Sequence, residues 1–170
     1  MDLKALIRHV PDYAKPGILF YDITTLLRHP AGFQETVSAM CQPFTGGGID
    51  VVVGIESRGF ILGGAVAERL GAGFVPVRKP GKLPSATHRQ AYTLEYVSNE
   101  LEIHTDALTP GQRVLVVDDV LATGGTAAAA AALVKALGAS LKGMTFLIEL
   151  DFLDGKTRIA GERVHSVLHY

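Results

Sequence analysis

Val114-Leu115-Val116-Val117-Asp118-Asp119-Val120-Leu121-Ala122-Thr123-Gly124-Gly125-Thr126 is the stretch from which the rest of this chain can be read. Four aliphatic residues in a row, without polar alternation, read as a strand buried on both faces, the habit of a parallel sheet. Two adjacent carboxylates end that strand, and a Thr/Gly-rich turn leads into an alanine-rich helix. Such a turn sets hydroxyls and backbone N–H groups at a helix N-terminus, whose partial positive charge suits a phosphate. The carboxylates beside it suit sugar hydroxyls. Gly124 and Gly125 let the main chain approach a ligand without a Cβ.

The bulk properties set the class. With 170 residues, 48% hydrophobic, the chain reads as one globular domain spanning 1–170. A net charge of −1 argues against nonspecific nucleic-acid binding. The single cysteine, Cys41, excludes an intramolecular disulfide and lies on an apolar helical stripe, where burial is expected. There is no secretory signal pattern and no apolar run approaching the ~20 residues of a membrane helix, so a cytoplasmic protein with no membrane partner is expected. The six histidines show no metal-ligand spacing.

Along the chain, residues 1–9 read as a short helix and 18–21 as an apolar loop. Pro30 and Gly32 open a helix with a 3.6-residue stripe of Phe33, Val37, Met40, Cys41 and Phe44. Strands are predicted over 51–55, 74–78, 113–117, 141–150 and 164–168, and helices over 59–70 and 123–137. A hairpin is expected with strands 93–97 and 101–104 around a turn at 98–100. Strands alternating with helices imply a mainly parallel, twisted α/β sheet flanked by helices. Ligands on such sheets sit at the carboxyl ends of strands. Residues 56–59, 79–82 and 118–126 all fall at such ends, which points to one composite site.

Gly54-Ile55-Glu56-Ser57-Arg58-Gly59-Phe60 has the outer glycine spacing of a P-loop, but Phe60 and Ile61 stand where Lys and Ser/Thr are needed, so a Walker A site is rejected. A turn offering Ser57, Arg58 and free N–H groups suits pyrophosphate instead; a salt-bridged surface arginine fits the residues as well. Arg78-Lys79-Pro80-Gly81-Lys82-Leu83-Pro84 reads as a solvated basic loop or as a set of cations for a polyphosphate.

Together these segments resemble the type I phosphoribosyltransferases. Residues 118–126 are similar to that family's motif for 5-phosphoribosyl-1-pyrophosphate (PRPP), and residues 54–60 to its pyrophosphate loop. The basic loop, Tyr92-Thr93-Leu94-Glu95-Tyr96 and Leu101-Glu102-Ile103-His104 are similar to the adenine phosphoribosyltransferases in particular. Lys15-Pro16-Gly17-Ile18-Leu19-Phe20-Tyr21-Asp22-Ile23-Thr24 resembles their adenine hood, with Tyr21 departing from a common arginine and, further on, Val97 from a frequent glycine.

The resemblance implies a type I phosphoribosyltransferase fold with a small N-terminal hood over about 1–30 and a flexible lid over about 79–97. It implies a pentosyltransferase of purine salvage: adenine and PRPP as substrates, AMP and pyrophosphate as products, Mg²⁺ as cofactor, and a homodimer. Asp118, Asp119, Ala122, Thr123, Gly124, Gly125 and Thr126 would bind ribose and the 5-phosphate, with Asp118 and Asp119 also holding Mg²⁺ directly or through water. Glu56, Ser57, Arg58, Arg78, Lys79 and Lys82 would bind pyrophosphate, and the Glu56–Ser57 peptide would be cis. Leu19, Phe20 and Tyr21 would bind adenine, although Ile18, Leu19 and Phe20 read equally as core. Arg58 would also be catalytic. Glu95, otherwise an exposed strand glutamate, would be a general acid donating a proton to adenine N7. Two alternatives share the PRPP motif: a transferase for a 6-oxopurine, and a noncatalytic PRPP-binding regulator.

Overall fold

The computed structural model describes residues 1–94 and 97–170. Its centre is a five-stranded, all-parallel sheet of β3 (Val51–Ile55), β4 (Gly73–Val77), β7 (Arg113–Leu121), β8 (Ser140–Glu149) and β9 (Val164–His169), in the order β4-β3-β7-β8-β9. Two antiparallel ribbons flank it: β1 (Arg8–Pro11) with β2 (Leu19–Asp22), and β5 (Thr87–Leu94) with β6 (Val97–His104).

Successive strand residues point to opposite faces, and the core divides accordingly. Val51, Val53, Ile55, Val114 and Val116 pack beneath α4 (Gly125–Ala136) and the β5–β6 ribbon. Val52, Leu115 and Val117 pack against α2 (Pro30–Cys41), which follows the short α1 (Thr24–Leu27), and against α3 (Arg58–Leu70). The uninterrupted aliphatic runs are thus explained by helices on both faces. Ala127, Ala129, Ala130 and Ala131 are buried, and their small side chains let β5 lie on α4. Helix α2 starts where its sequence dictates: Pro30 occupies the first turn, and His29 Nδ1 accepts the Gly32 N–H at 3.0 Å. Cys41 is buried on its inner face.

Four expectations need correction. Residues 1–9 form no α-helix. A 3-10 turn at Lys4–Leu6 plants Leu3 and Ile7 in the core, and Arg8–Pro11 gains a ladder with β2. The supposed loop 18–21 contributes most of β2, because its partner strand lies across a turn and is too polar to read as a strand. The second ribbon has a different register: Leu94 pairs with Val97, so Ser98, Asn99 and Glu100 lie inside β6 and not in a turn. Finally, β7 does not stop at the carboxylates. Its pairing with β3 ends at Gly54–Val117, but its pairing with β8 continues through Asp118, Val120 and Leu121. From Asp118 onward β7 therefore has a neighbour on one side and an opening on the other.

Behind the turn that follows β7, Gly124 has φ 86°, the left-handed region, and a Cβ there would strike the Gly155 carbonyl. Reciprocally, a Cβ on Gly155 would strike the Ala122 carbonyl and lie 3.1 Å from Gly124 N. We predict that Gly155→Ala destabilises the fold by about 1–3 kcal/mol through overpacking, a fall in Tm of roughly 3–10 °C. Gly64→Ala, within α3 and with nothing inside 4 Å of the added Cβ, should be neutral or stabilising by up to about 1 kcal/mol. Thermal melts of the two variants check the contrast.

Candidate active site

Strands β4, β3 and β7 are neighbours, so the three segments that follow or end them meet at one edge of the sheet. Asp118 and Asp119 form the floor. Both are nearly buried, and the Asp119 N–H donates to Asp118 Oδ1 at 2.8 Å. Burial, and then the neighbouring Asp119 carboxylate, pushes the Asp118 pKa well above the ordinary carboxylate value. The close approach of α3 depends on Gly59, where a Cβ would sit 2.9 Å from Asp118 Oδ1. Ala122, Thr123, Gly124, Gly125 and Thr126 follow as the turn into α4, with the two glycines buried and Ala122, Thr123 and Thr126 partly open.

Arg58 opens α3, and its Nε donates to Asp119 Oδ2. Its guanidinium carbon lies 5.6 Å from the centre of the Phe20 ring. Both residues line a cleft of about 470 Å³ together with Val10 and Tyr13, and Arg8, Asp22, Ile23 and Thr24 complete its wall. Thr24 donates to Asp22 through both its hydroxyl, at 2.7 Å, and its N–H, at 2.9 Å, which lowers the Asp22 pKa. Through Arg58, which bonds Asp119, the cleft adjoins the end of β7.

The remaining cations gather elsewhere, on Glu56. Its buried carboxylate accepts from Arg78 Nη2 at 3.2 Å, Arg78 Nε at 3.3 Å, the Lys79 N–H at 3.0 Å and Lys82 Nζ at 2.5 Å. Burial alone would raise the Glu56 pKa, but the Lys82, Lys79 and Arg78 donors outweigh it and lower the pKa to about 2. The Glu56–Ser57 peptide is cis. Arg78 also exchanges backbone bonds with Glu102, at 3.0 and 2.7 Å, which ties the root of the β5–β6 ribbon to the end of β4.

The expected residues thus fall into three groups. Asp118, Asp119 and residues 122–126 follow one another along the end of β7 and the turn into α4, with Arg58 held on Asp119. Arg78, Lys79 and Lys82 surround Glu56. On β2, Phe20 faces the cleft, whereas Tyr21 turns its ring to the opposite side, 4.3 Å from Tyr170, and Leu19 is exposed without lining the cleft. Glu95 lies outside the described residues.

Several contributors had no signal in the linear pattern. Val10 enters the cleft only because it pairs with Phe20. Arg158 donates to the Thr93 carbonyl at 3.0 Å, fastening the ribbon beside Gly125. Glu149, Asp151 and His169 also converge, with ligand atoms within 4.8 Å of one another, and Lys156 Nζ at 3.1 Å supplies the counter-charge of Glu149.

Known proteins match this arrangement throughout. The profile of the phosphoribosyl transferase domain family covers residues 22–151. An adenine phosphoribosyltransferase of Koribacter versatilis is 58% identical over 168 residues, 99% of this chain and 92% of its own. The crystal structure of an adenine phosphoribosyltransferase from Thermoanaerobacter pseudethanolicus superposes with a TM-score of 0.97 at 46% identity, covering 99% of this chain and 98% of that one. That of the Saccharomyces cerevisiae enzyme, complexed with an imino-altritol bisphosphate and adenine, gives 0.92 at 41% identity over 98% and 96%.

A pH titration reads the Glu56 cluster directly. The folded-state pKa of about 2 lies below the ordinary 4.5. Ionised Glu56 therefore contributes its full stability above about pH 4.5, and that contribution is lost as the pH falls through about 2. Glu56→Gln should remove this component, so that the stability difference between wild type and variant is constant above pH 5 and shrinks in acid. Denaturant melts between pH 2 and pH 7 check it.

Proposed function

The chain belongs to the phosphoribosyltransferase family, and from that premise we propose how its residues divide the work. The reaction is transfer of the 5-phosphoribosyl group from PRPP to N9 of adenine, giving AMP and pyrophosphate. One observation supports the residue assignment most strongly: the cleft that Phe20 and Arg58 line is bounded by the same arginine that bonds Asp119, so a planar base held there lies one side chain away from carboxylates suited to its ribose acceptor.

Phe20 stacks on adenine, and the β2 main chain supplies edge contacts. Only the backbone of Tyr21 remains for the base, so the missing arginine side chain costs nothing there. Asp118 and Asp119 accept hydrogen bonds from the ribose 2′- and 3′-hydroxyls. These donors favour the ionised form of Asp118 that burial disfavours. The N–H groups and hydroxyls of residues 122–126 take the 5-phosphate at the start of α4. Arg58 stands between base and ribose, and its charge meets the pyrophosphate oxygens as they depart. Arg78, Lys79 and Lys82, gathered on Glu56, form a reserve of positive charge that pyrophosphate draws on.

The donor set also fits a divalent ion. Two adjacent carboxylates that repel each other, with the pKa of Asp118 raised by burial and then by that repulsion, suit a hard cation arriving with PRPP and its own waters. Mg²⁺ bound there would neutralise pyrophosphate oxygens and lower the charge the leaving group develops.

Little covalent help is needed from the chain; positioning and charge stabilisation do the work. The bond from C1′ to the pyrophosphate oxygen breaks while the N9–C1′ bond forms, with inversion. Adenine enters with an imidazole-ring proton that AMP no longer carries, so one proton must leave the base. Glu95, expected to donate a proton to N7, by this balance accepts it there during AMP synthesis and acts as the general acid in the reverse direction. Closure of the β5–β6 ribbon over the site would exclude water. A homodimer in the cytoplasm completes the proposal; among the described residues no helix is long and apolar enough to cross a membrane.

Chromatographic assay of nucleotide formation from PRPP, Mg²⁺ and adenine, hypoxanthine, guanine or xanthine tests the reading. AMP from adenine alone is expected. Product from a 6-oxopurine would overturn the base assignment, and PRPP binding without any product would indicate a regulator. Glu95→Gln should lower kcat by about 10²–10⁴-fold with a smaller change in KM for PRPP. An unchanged kcat removes Glu95 from the proton relay.

A further inference from the structure

A two-stranded ribbon is marginally stable by itself, and among the described residues β1 and β2 pair only with each other. Phe20 must nevertheless stay opposite Arg58 for the cleft to keep its width. Alternation gives the ribbon two faces. Arg8, Val10, Phe20 and Asp22 line the cleft, and His9 and Tyr21 share the other face.

Tyr170, which follows β9, receives that second face. Its ring centre lies 4.3 Å from that of Tyr21 and 5.7 Å from that of His9, and His9 meets Tyr21 edge-on at 5.2 Å. Lys4 Nζ stands 4.5 Å from the Tyr170 ring centre and donates to the His169 carbonyl. Tyr170 is itself fastened to the sheet: its N–H donates to the Glu149 carbonyl at 3.0 Å, and its carbonyl accepts from the Asp151 N–H at 2.9 Å. Its hydroxyl is buried and has no hydrogen-bond partner among the described residues. The ring, and not the hydroxyl, makes the contact.

We propose that Tyr170 is a positioning residue for base recognition: its ring, packed on Tyr21 and His9 under Lys4, locks the β1–β2 ribbon to the β8–β9 edge of the sheet. It thereby sets the separation of Phe20 from Arg58. The proposal rests on reading the Phe20–Arg58 cleft as the base site. The PRPP-binding segments hang on β3, β4 and β7, so a loosened ribbon weakens adenine binding selectively. The aromatic face also gives Tyr21 a role distinct from direct contact with substrate.

Steady-state kinetics of Tyr170→Ala, Tyr170→Phe and Phe20→Ala, varying adenine and PRPP in turn, test it. Tyr170→Ala should raise KM for adenine about tenfold, the loss expected for two aromatic contacts and a cation–π contact. KM for PRPP should stay within about twofold, and Tyr170→Phe should match wild type. Unchanged adenine KM in Tyr170→Ala, a parallel rise in both constants, or a Phe variant as impaired as the Ala variant would overturn the proposal. Phe20→Ala separates the two readings. If it leaves adenine KM unchanged, the base-site assignment fails and the clamp with it; if only Phe20→Ala raises adenine KM, the clamp alone fails. Should Tyr170→Ala not fold, Tyr170→Leu, which keeps bulk without the ring, is judged by the same split.

Discussion

Two carboxylates, side by side and almost out of water, are the constraint around which this protein is built. Burying one charge without a partner is costly, and burying two neighbours adds their repulsion. The chain meets that cost with Arg58 on Asp119, with the Asp119 N–H on Asp118, and with a strand that keeps only one neighbour where the acids begin. Each element has a consequence elsewhere. Arg58 must begin α3, so α3 must approach β7 closely, so residue 59 is a glycine. The opening beside β7 exists because β3 stops at Ile55.

The division of cations follows from the same electrostatics. Arg58 is bound to the acids and to Phe20, while Arg78, Lys79 and Lys82 are gathered on Glu56 a strand away. Without Glu56, three neighbouring positive centres would repel one another and hold the loop after β4 open. With it, the three stay gathered at the end of β4.

The central sheet was legible because its strands carry β-branched runs whose burial leaves little choice, and because glycines punctuate the turns. The composite site was legible through position, since three polar segments fell at strand ends. What escaped was set by pairing between distant segments. Arg8 to Pro11 contains a cation, a histidine and a proline, and becomes a strand only by meeting β2. The second ribbon lengthened because Thr87, His88, Arg89 and Gln90 satisfy backbone bonds with β6, which hydropathy does not register. The resemblance made Tyr21 a base contact; alternation along β2 turns its ring to Tyr170. Val10, Arg158 and Tyr170 gave no local signal, each acting through a partner far along the chain.

The close contact of Gly124 with Gly155 ties the turn after β7 to a residue that is synthesised much later. A nascent chain can form β3, β7 and α4 while its last fifth is still inside the ribosome, but the Ala122–Gly124 turn then has no wall to rest against. That turn therefore reaches its final shape only after residue 155 has emerged.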